Sequence, residues 1–155
     1  EYFLGIQIQR HQPSKSLWIH QKSYITEAIR HFGLPKHGPE IPLSPGLTGR
    51  ESPSPNLPQK EAHLYSQLVG TASYAVTQTR GDCGFTLQWL SRQLQNPTAA
   101  HLKAAKKLLS YISETKDLAI HYRPTGDLSP EGYCDSDFTG CHKTAKSTYG
   151  YLFKL

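Results

Sequence analysis

Seven prolines, Pro35, Pro39, Pro42, Pro45, Pro53, Pro55 and Pro58, fall within residues 34–60 of this 155-residue chain. Each removes a backbone N–H and fixes φ, so neither a helix nor a central strand survives such a density. The stretch, rich also in Gly and Ser, reads as an extended, partly disordered linker. It separates a short N-terminal set of regular elements from a longer C-terminal set.

Before the linker, Tyr2 to Arg10 and Leu17 to Ile19 form two apolar runs separated by Pro13-Ser14-Lys15-Ser16. Alternation from Leu4 onward and this polar break predict two short strands in a hairpin. Ser23 is placed to cap a helix from Tyr24 to about His31, with Ile25, Ala28, Ile29 and Phe32 on one face and Gly33 at the C-cap.

After the linker, helical spacing resumes near Glu61, where Tyr65, Leu68, Val69, Ala72 and Ala75 share a face. A second helix is expected over Phe85 to Leu94. A third, capped by Thr98, runs from Ala99 to Ser113 and turns Leu102, Ala105, Leu108, Leu109 and Ile112 inward. Its other face carries His101, Lys103, Lys106 and Lys107, which is either a solvated face or a nucleic-acid contact. Beyond Asp117 the pattern returns to strands, at Leu118–Tyr122, Gly132–Phe138 and Ser147–Leu155.

Seventeen Lys and Arg against twelve Asp and Glu give a net charge of +5, a balance that suits a nucleic-acid partner without requiring one. Cys83, Cys134 and Cys141 are odd in number and lack CxxC spacing, which argues against a disulfide framework or a structural zinc site. Reduced thiols in an intracellular protein, cytoplasmic or nuclear, are the expectation. No apolar run is long enough for a membrane span, and no secretory signal opens the chain. An opening without Met, inside an apolar strand pattern, suggests a fragment of something longer.

One constellation offers chemistry. Asp135 and Asp137 lie two apart in Gly132-Tyr133-Cys134-Asp135-Ser136-Asp137-Phe138, and residues two apart on a strand share a face. Paired carboxylates there could hold Mg²⁺, as a phosphodiester-cutting site requires. A lone DxD is weak evidence, and a polar strand end is the plain alternative. No Asp or Glu follows Asp137, and two carboxylates are too few for two ions. His101, His121 and His142 show no metal-ligand spacing and read as surface histidines, while the Tyr and Trp residues read as packing groups.

The order of short motifs resembles Ty1/copia-type retrotransposon polyproteins. Phe3-Leu4-Gly5-Ile6-Gln7-Ile8 is similar to the family's FLGIEI strand. Trp18 to Ile25 is similar to LSQxKYI, and Phe32-Gly33-Leu34 to RFGM. Tyr65 to Gly70 resembles YRxLVG, and Thr79-Arg80-Gly81-Asp82 resembles TRPD with Gly81 for proline. Leu90-Ser91-Arg92 with Pro97 and His101 fits LSRxxxxPxxxH. Gly132 to Gly140 resembles GYxDADWAG, and Lys146 to Tyr151 resembles RSTSGY.

The resemblance implies the C-terminal part of a reverse transcriptase running into a ribonuclease H. The expected fold is α+β: residues 1–33 the end of a palm hairpin and a first thumb-like helix, 34–60 the proline-rich linker, 61–117 a helical thumb- or connection-like region, and 118–155 the opening strands of an incomplete ribonuclease H-like sheet. It implies Asp135 as the first catalytic, metal-binding carboxylate, with Asp137 nearby. The ion of the parent site would be Mg²⁺, not expected to bind tightly to these residues alone. Implied partners are an RNA–DNA hybrid and the remainder of the polyprotein, with Arg92, Lys103, Lys106 and Lys107 as nucleic-acid contacts and no membrane. The polymerase carboxylates would lie upstream and the other ribonuclease H carboxylates downstream, so the fragment is expected to be inactive alone. A non-enzymatic nucleic-acid-binding protein derived from the thumb is the rival. A decayed element product, which departures at Gly81, Phe138 and Tyr149 would fit, is another.

Overall fold

The computed structural model describes residues 1–35, 38–46, 54–124, 126, 129–137 and 146–154. It divides into two compact units, 1–122 and 123–155. The α+β composition expected from the sequence is present in helices and antiparallel strands.

The first unit opens with β1 (Tyr2–Phe3), β2 (Ile6–His11) and β3 (Ser16–His20). The run that looks continuous in the sequence breaks at Leu4 and Gly5, whose φ values of 47° and 79° make a tight turn between β1 and β2. β2 and β3 pair in antiparallel register from Gln7↔His20 to His11↔Ser16, which is the expected hairpin. β4 (Ile120–Tyr122) then pairs with β3, giving the order β1-β2-β3-β4. The sequence grouped Leu118–Tyr122 with the later strands; the structure instead seats it beside β3, where His121 stacks on Trp18 at 4.4 Å with planes 6° apart.

Helix α1 (Lys22–Phe32) buries Ile25 and Ile29. Its N-terminus corrects an expectation: Gln21, not Ser23, is the N-cap residue, and the Ser23 N–H donates to Gln7 Oε1 at 2.8 Å. A side chain from β2 therefore satisfies a helix-end donor that a local hydroxyl was expected to serve. The C-terminus is as expected. Gly33 has φ 60°, with Gly33 N–H donating to Arg30 O and Leu34 N–H to Ile29 O.

Helix α2 (Gln59–Gln78) is the centre of the unit and packs against α3 (Gly84–Ser91) and α4 (Ala99–Glu114). Tyr65, Leu68, Leu90, Leu108 and Ile112 are all fully buried, each stabilising the fold by about 1.5–3 kcal/mol relative to exposure. The Tyr65 hydroxyl donates to the Leu90 carbonyl at 2.6 Å, so its burial leaves no orphan. α3 ends three residues before the expected boundary, and Leu94, predicted on its apolar face, is 41% exposed.

The described part of the proline-rich stretch is irregular, yet it is docked rather than loose. Leu34, Leu43 and Leu57 pack on the core. Leu57 N–H donates to Pro97 O at 2.8 Å, and Asn56 bridges to Thr98.

The second unit is an antiparallel hairpin of β5 (Glu131–Asp137) and β6 (Thr148–Lys154), in register from Glu131↔Lys154 to Asp137↔Thr148.

Candidate nucleic-acid interface and carboxylate strand

Helix α4 starts at Thr98, which has extended backbone, and its cap is reciprocal with the first turn. The Thr98 N–H donates to His101 Nδ1 at 3.0 Å, and the Thr98 hydroxyl lies 3.1 Å from the same nitrogen. His101 is 1% exposed and sits edge-on to Trp89 at 5.3 Å. This corrects its placement on the polar face: a histidine three residues after the cap serves the capping-box role that Glu or Gln usually fills.

The lysines behave differently from one another. Lys103 and Lys106 are exposed, whereas Lys107 is half-buried and its Nζ donates to Ser44 Oγ at 2.9 Å. All three line one cleft against Leu34, Pro39 and Leu102. Arg92 lies just beyond α3, exposed, and does not line that cleft. The expected four-residue contact is thus two exposed cations, one tethered one and one on a separate turn.

A polar group at the end of α2 carries more interactions than the sequence suggested. Arg80, 1% exposed, donates to both Asp82 oxygens, to the carbonyls of Ile112 and Thr115 at 3.3 Å, and to Thr115 Oγ1 at 2.7 Å. It therefore covers carbonyls at the C-terminal end of α4, where a cation also complements the helix dipole. Burial pulls the Arg80 guanidinium down, but the hydrogen bonds and charge of Asp82 outweigh it and the net direction is up. Burial pushes the Cys83 thiol up to about 12, which keeps it protonated near neutral pH. The Thr79-Arg80-Gly81-Asp82 motif was the available signal for this group, and its role is to lock α2 and α4 together.

In the second unit, Asp135 is exposed on β5 opposite Gly150, and Asp137 ends the strand opposite Thr148. Among the described residues, no three His, Cys, Asp or Glu side chains converge as metal ligands. Asp135 and Asp137 alone are too few carboxylates to hold two ions. His142 and Cys141 lie outside the described residues. On β6, Tyr149, Tyr151 and Phe153 are 69–75% exposed, so the packing expected of aromatic residues holds for Tyr65 and Trp89 but not here. No helix among the described residues is long and apolar enough to cross a membrane.

With this geometry in place, the chain can be compared with known proteins. It is 30% identical over 158 residues to the retrovirus-related Pol polyprotein from transposon TNT 1-94 of Nicotiana tabacum, covering 99% of this chain and 12% of that protein. It is 31% identical over 159 residues to a putative transposon Ty5-1 protein of Saccharomyces cerevisiae, covering 99% of this chain and 49% of that one. An uncharacterized mitochondrial protein of Arabidopsis thaliana is 28% identical over 155 residues, with 97% of this chain and 60% of the relative covered. The chain thus spans less than two thirds of each of these relatives. No family model matches, and no solved structure matches.

Proposed function

Since this chain belongs to the Ty1/copia-type retrotransposon Pol polyproteins, we propose that its residues span the end of a reverse transcriptase and the opening of a ribonuclease H. The parent activity would be RNA-directed DNA synthesis coupled to cleavage of RNA in RNA–DNA hybrids, in the cytoplasm or nucleus. The observation that carries this reading is collinear similarity to Pol polyproteins over nearly the whole chain. The motif order supports the finer assignment. The FLGIQI segment lies across β1 and β2, the YSQLVG segment on α2, and the segment holding Asp135 on β5.

In this reading the first unit contributes duplex contacts and the second contributes Asp135, the first carboxylate of a metal site completed by other parts of the polyprotein. Asp135 would help to hold Mg²⁺, which would supply Lewis-acid charge for phosphodiester cleavage. Lys103 and Lys106 are the phosphate contacts, with Arg92 a further one, because Lys107 is already engaged by Ser44.

The test is binding of an RNA–DNA hybrid by the purified chain at rising salt. Each phosphate contact adds about 0.9 to the slope of log affinity against log salt on B-form duplex, so Lys103→Gln with Lys106→Gln should lower the slope by roughly two. Gln preserves the helix because its propensity is close to that of Lys. An unchanged slope with intact helicity would sink the nucleic-acid assignment.

A further inference from the structure

We infer that the cleft between α4 and the strap of residues 38–46 is a docking site for an acidic, amphipathic segment of a partner protein. The cleft encloses about 550 Å³. Its interior is apolar, formed by Leu34, Pro35, Pro39 and Leu102, and its rim carries Lys103 and Lys106. Among the described residues, no Asp or Glu lines it.

The wall is built and held in place. Gly38 lies directly on α4, where an added Cβ would collide with the Ser110 carbonyl. Farther along the strap, Ser44 accepts from Lys107 Nζ at 2.9 Å. Leu34 is positioned by its own N–H, which donates to Ile29 O at 3.1 Å. A cleft with walls fixed at three points costs little ordering when it is filled.

The chemistry of the occupant is set by the two surfaces. Lys103 and Lys106 are one helical turn apart on the same side and have no hydrogen-bond or ion-pair partner among the described residues. They call for carboxylates. The apolar interior calls for apolar side chains, since burying them stabilises the complex in proportion to area. A sugar-phosphate backbone, polar along its length, would leave that interior unused. A helix with a short apolar stripe flanked by Asp or Glu satisfies both demands, as in helix-in-groove recognition. The inference stands apart from the nucleic-acid reading, although such a segment would cover the same two lysines.

The experiment titrates the purified chain into two fluorescent synthetic peptides. One is a helix with leucines along one face and glutamates beside them; the other has serines for the leucines and the same charge. The leucine peptide should bind and the serine peptide should not. Lys103→Gln with Lys106→Gln should weaken binding roughly three- to tenfold, as expected for two exposed ion pairs. Gly38→Val should displace the strap, keep every lysine, and abolish peptide binding while leaving the salt slope for an RNA–DNA hybrid unchanged. If Gly38→Val does not fold, Leu34→Ser carries the same expectation, because it strips an apolar wall. Failure of the leucine peptide to bind, equal binding of both peptides, or full binding by the wall variants overturns the proposal.

Discussion

Arg80 holds Asp82 through two hydrogen bonds, Nε to Oδ1 at 2.9 Å and Nη2 to Oδ2 at 2.7 Å. The two partners differ in exposure, 1% for the Arg80 side chain against 41% for that of Asp82. Removing the carboxylate therefore leaves a buried cation without its counter-charge. Asp82→Asn is expected to destabilise the chain by about 2–3 kcal/mol, below the cost of breaking a fully buried pair because Asp82 is partly solvated. Urea unfolding reads this as a lower midpoint at unchanged slope. A loss below about 0.5 kcal/mol would make the pair equivalent to a surface one.

The same pair fixes a pH dependence. Burial alone would raise the Asp82 carboxyl, but the Arg80 hydrogen bonds and charge overcome it and the net direction is down from the ordinary value of 3.8. A carboxyl depressed in the folded state contributes stability that is fully present above its unfolded value. That contribution is lost as pH falls through the folded one. The unfolding midpoint of the parent chain should thus drop below pH 3.8, and the difference between parent and Asp82→Asn should shrink there. A difference that stays constant with pH would mean that the ion pair is not the source.

The capping of α4 gives a separate test. Thr98 and His101 share one nitrogen contact at the helix start, and both are needed for it. Thr98→Ala should cost about 1 kcal/mol. His101→Ala should cost more, because it also empties buried volume beside Trp89. Because the residues act as a unit, the double variant should be less destabilised than the sum of the singles. Strict additivity would show that the cap is not reciprocal.

Local signals were legible in the sequence and long-range ones were not. Gly33 and the buried faces of α2 and α4 follow from spacing and from the one residue that takes positive φ without strain. The start of α1 was misplaced because its amide partner, Gln7, lies sixteen residues away on β2. β4 was grouped with the wrong strands because pairing partners leave no trace in a three-residue run. His101 was read as a surface group from its polarity, although helical spacing sets it with Ala105, Leu108 and Ile112 and the cap draws it inward. At the carboxylate strand, the alternation that puts Asp135 on β5 was readable, whereas its pairing opposite Gly150 on β6 was not.

Cysteine chemistry separates the two units. Cys83 is buried, with its thiol pushed up to about 12, and Cys134 is exposed on β5. Thiolate fraction and access both govern reaction with a disulfide reagent. At neutral pH Cys134 should react rapidly, and Cys83 should react at the rate of global or local unfolding of the first unit. Peptide mapping after brief labelling, with Cys141→Ser to simplify the count, distinguishes the sites. Equal labelling of Cys83 and Cys134 in the native chain would contradict the burial of Cys83.

The last prediction concerns catalysis by these residues alone. A two-ion phosphodiesterase needs carboxylates enough to hold both ions while leaving positions for water and phosphate. Asp135 and Asp137 are the last acidic residues in the sequence, and Mg²⁺ binds through oxygen ligands in near-octahedral geometry. Glu131 precedes them on the same strand, but its Oε2 accepts from the Tyr133 hydroxyl at 3.0 Å. A polypeptide of these 155 residues is therefore expected to leave an RNA–DNA hybrid intact in the presence of Mg²⁺, whether or not it binds it. The informative comparison adds Asp135→Asn: hybrid binding should be unchanged, since this carboxylate is not a phosphate contact. Degradation of the hybrid by the pure parent chain that disappears both with chelator and in Asp135→Asn would show that these residues do complete a metal site.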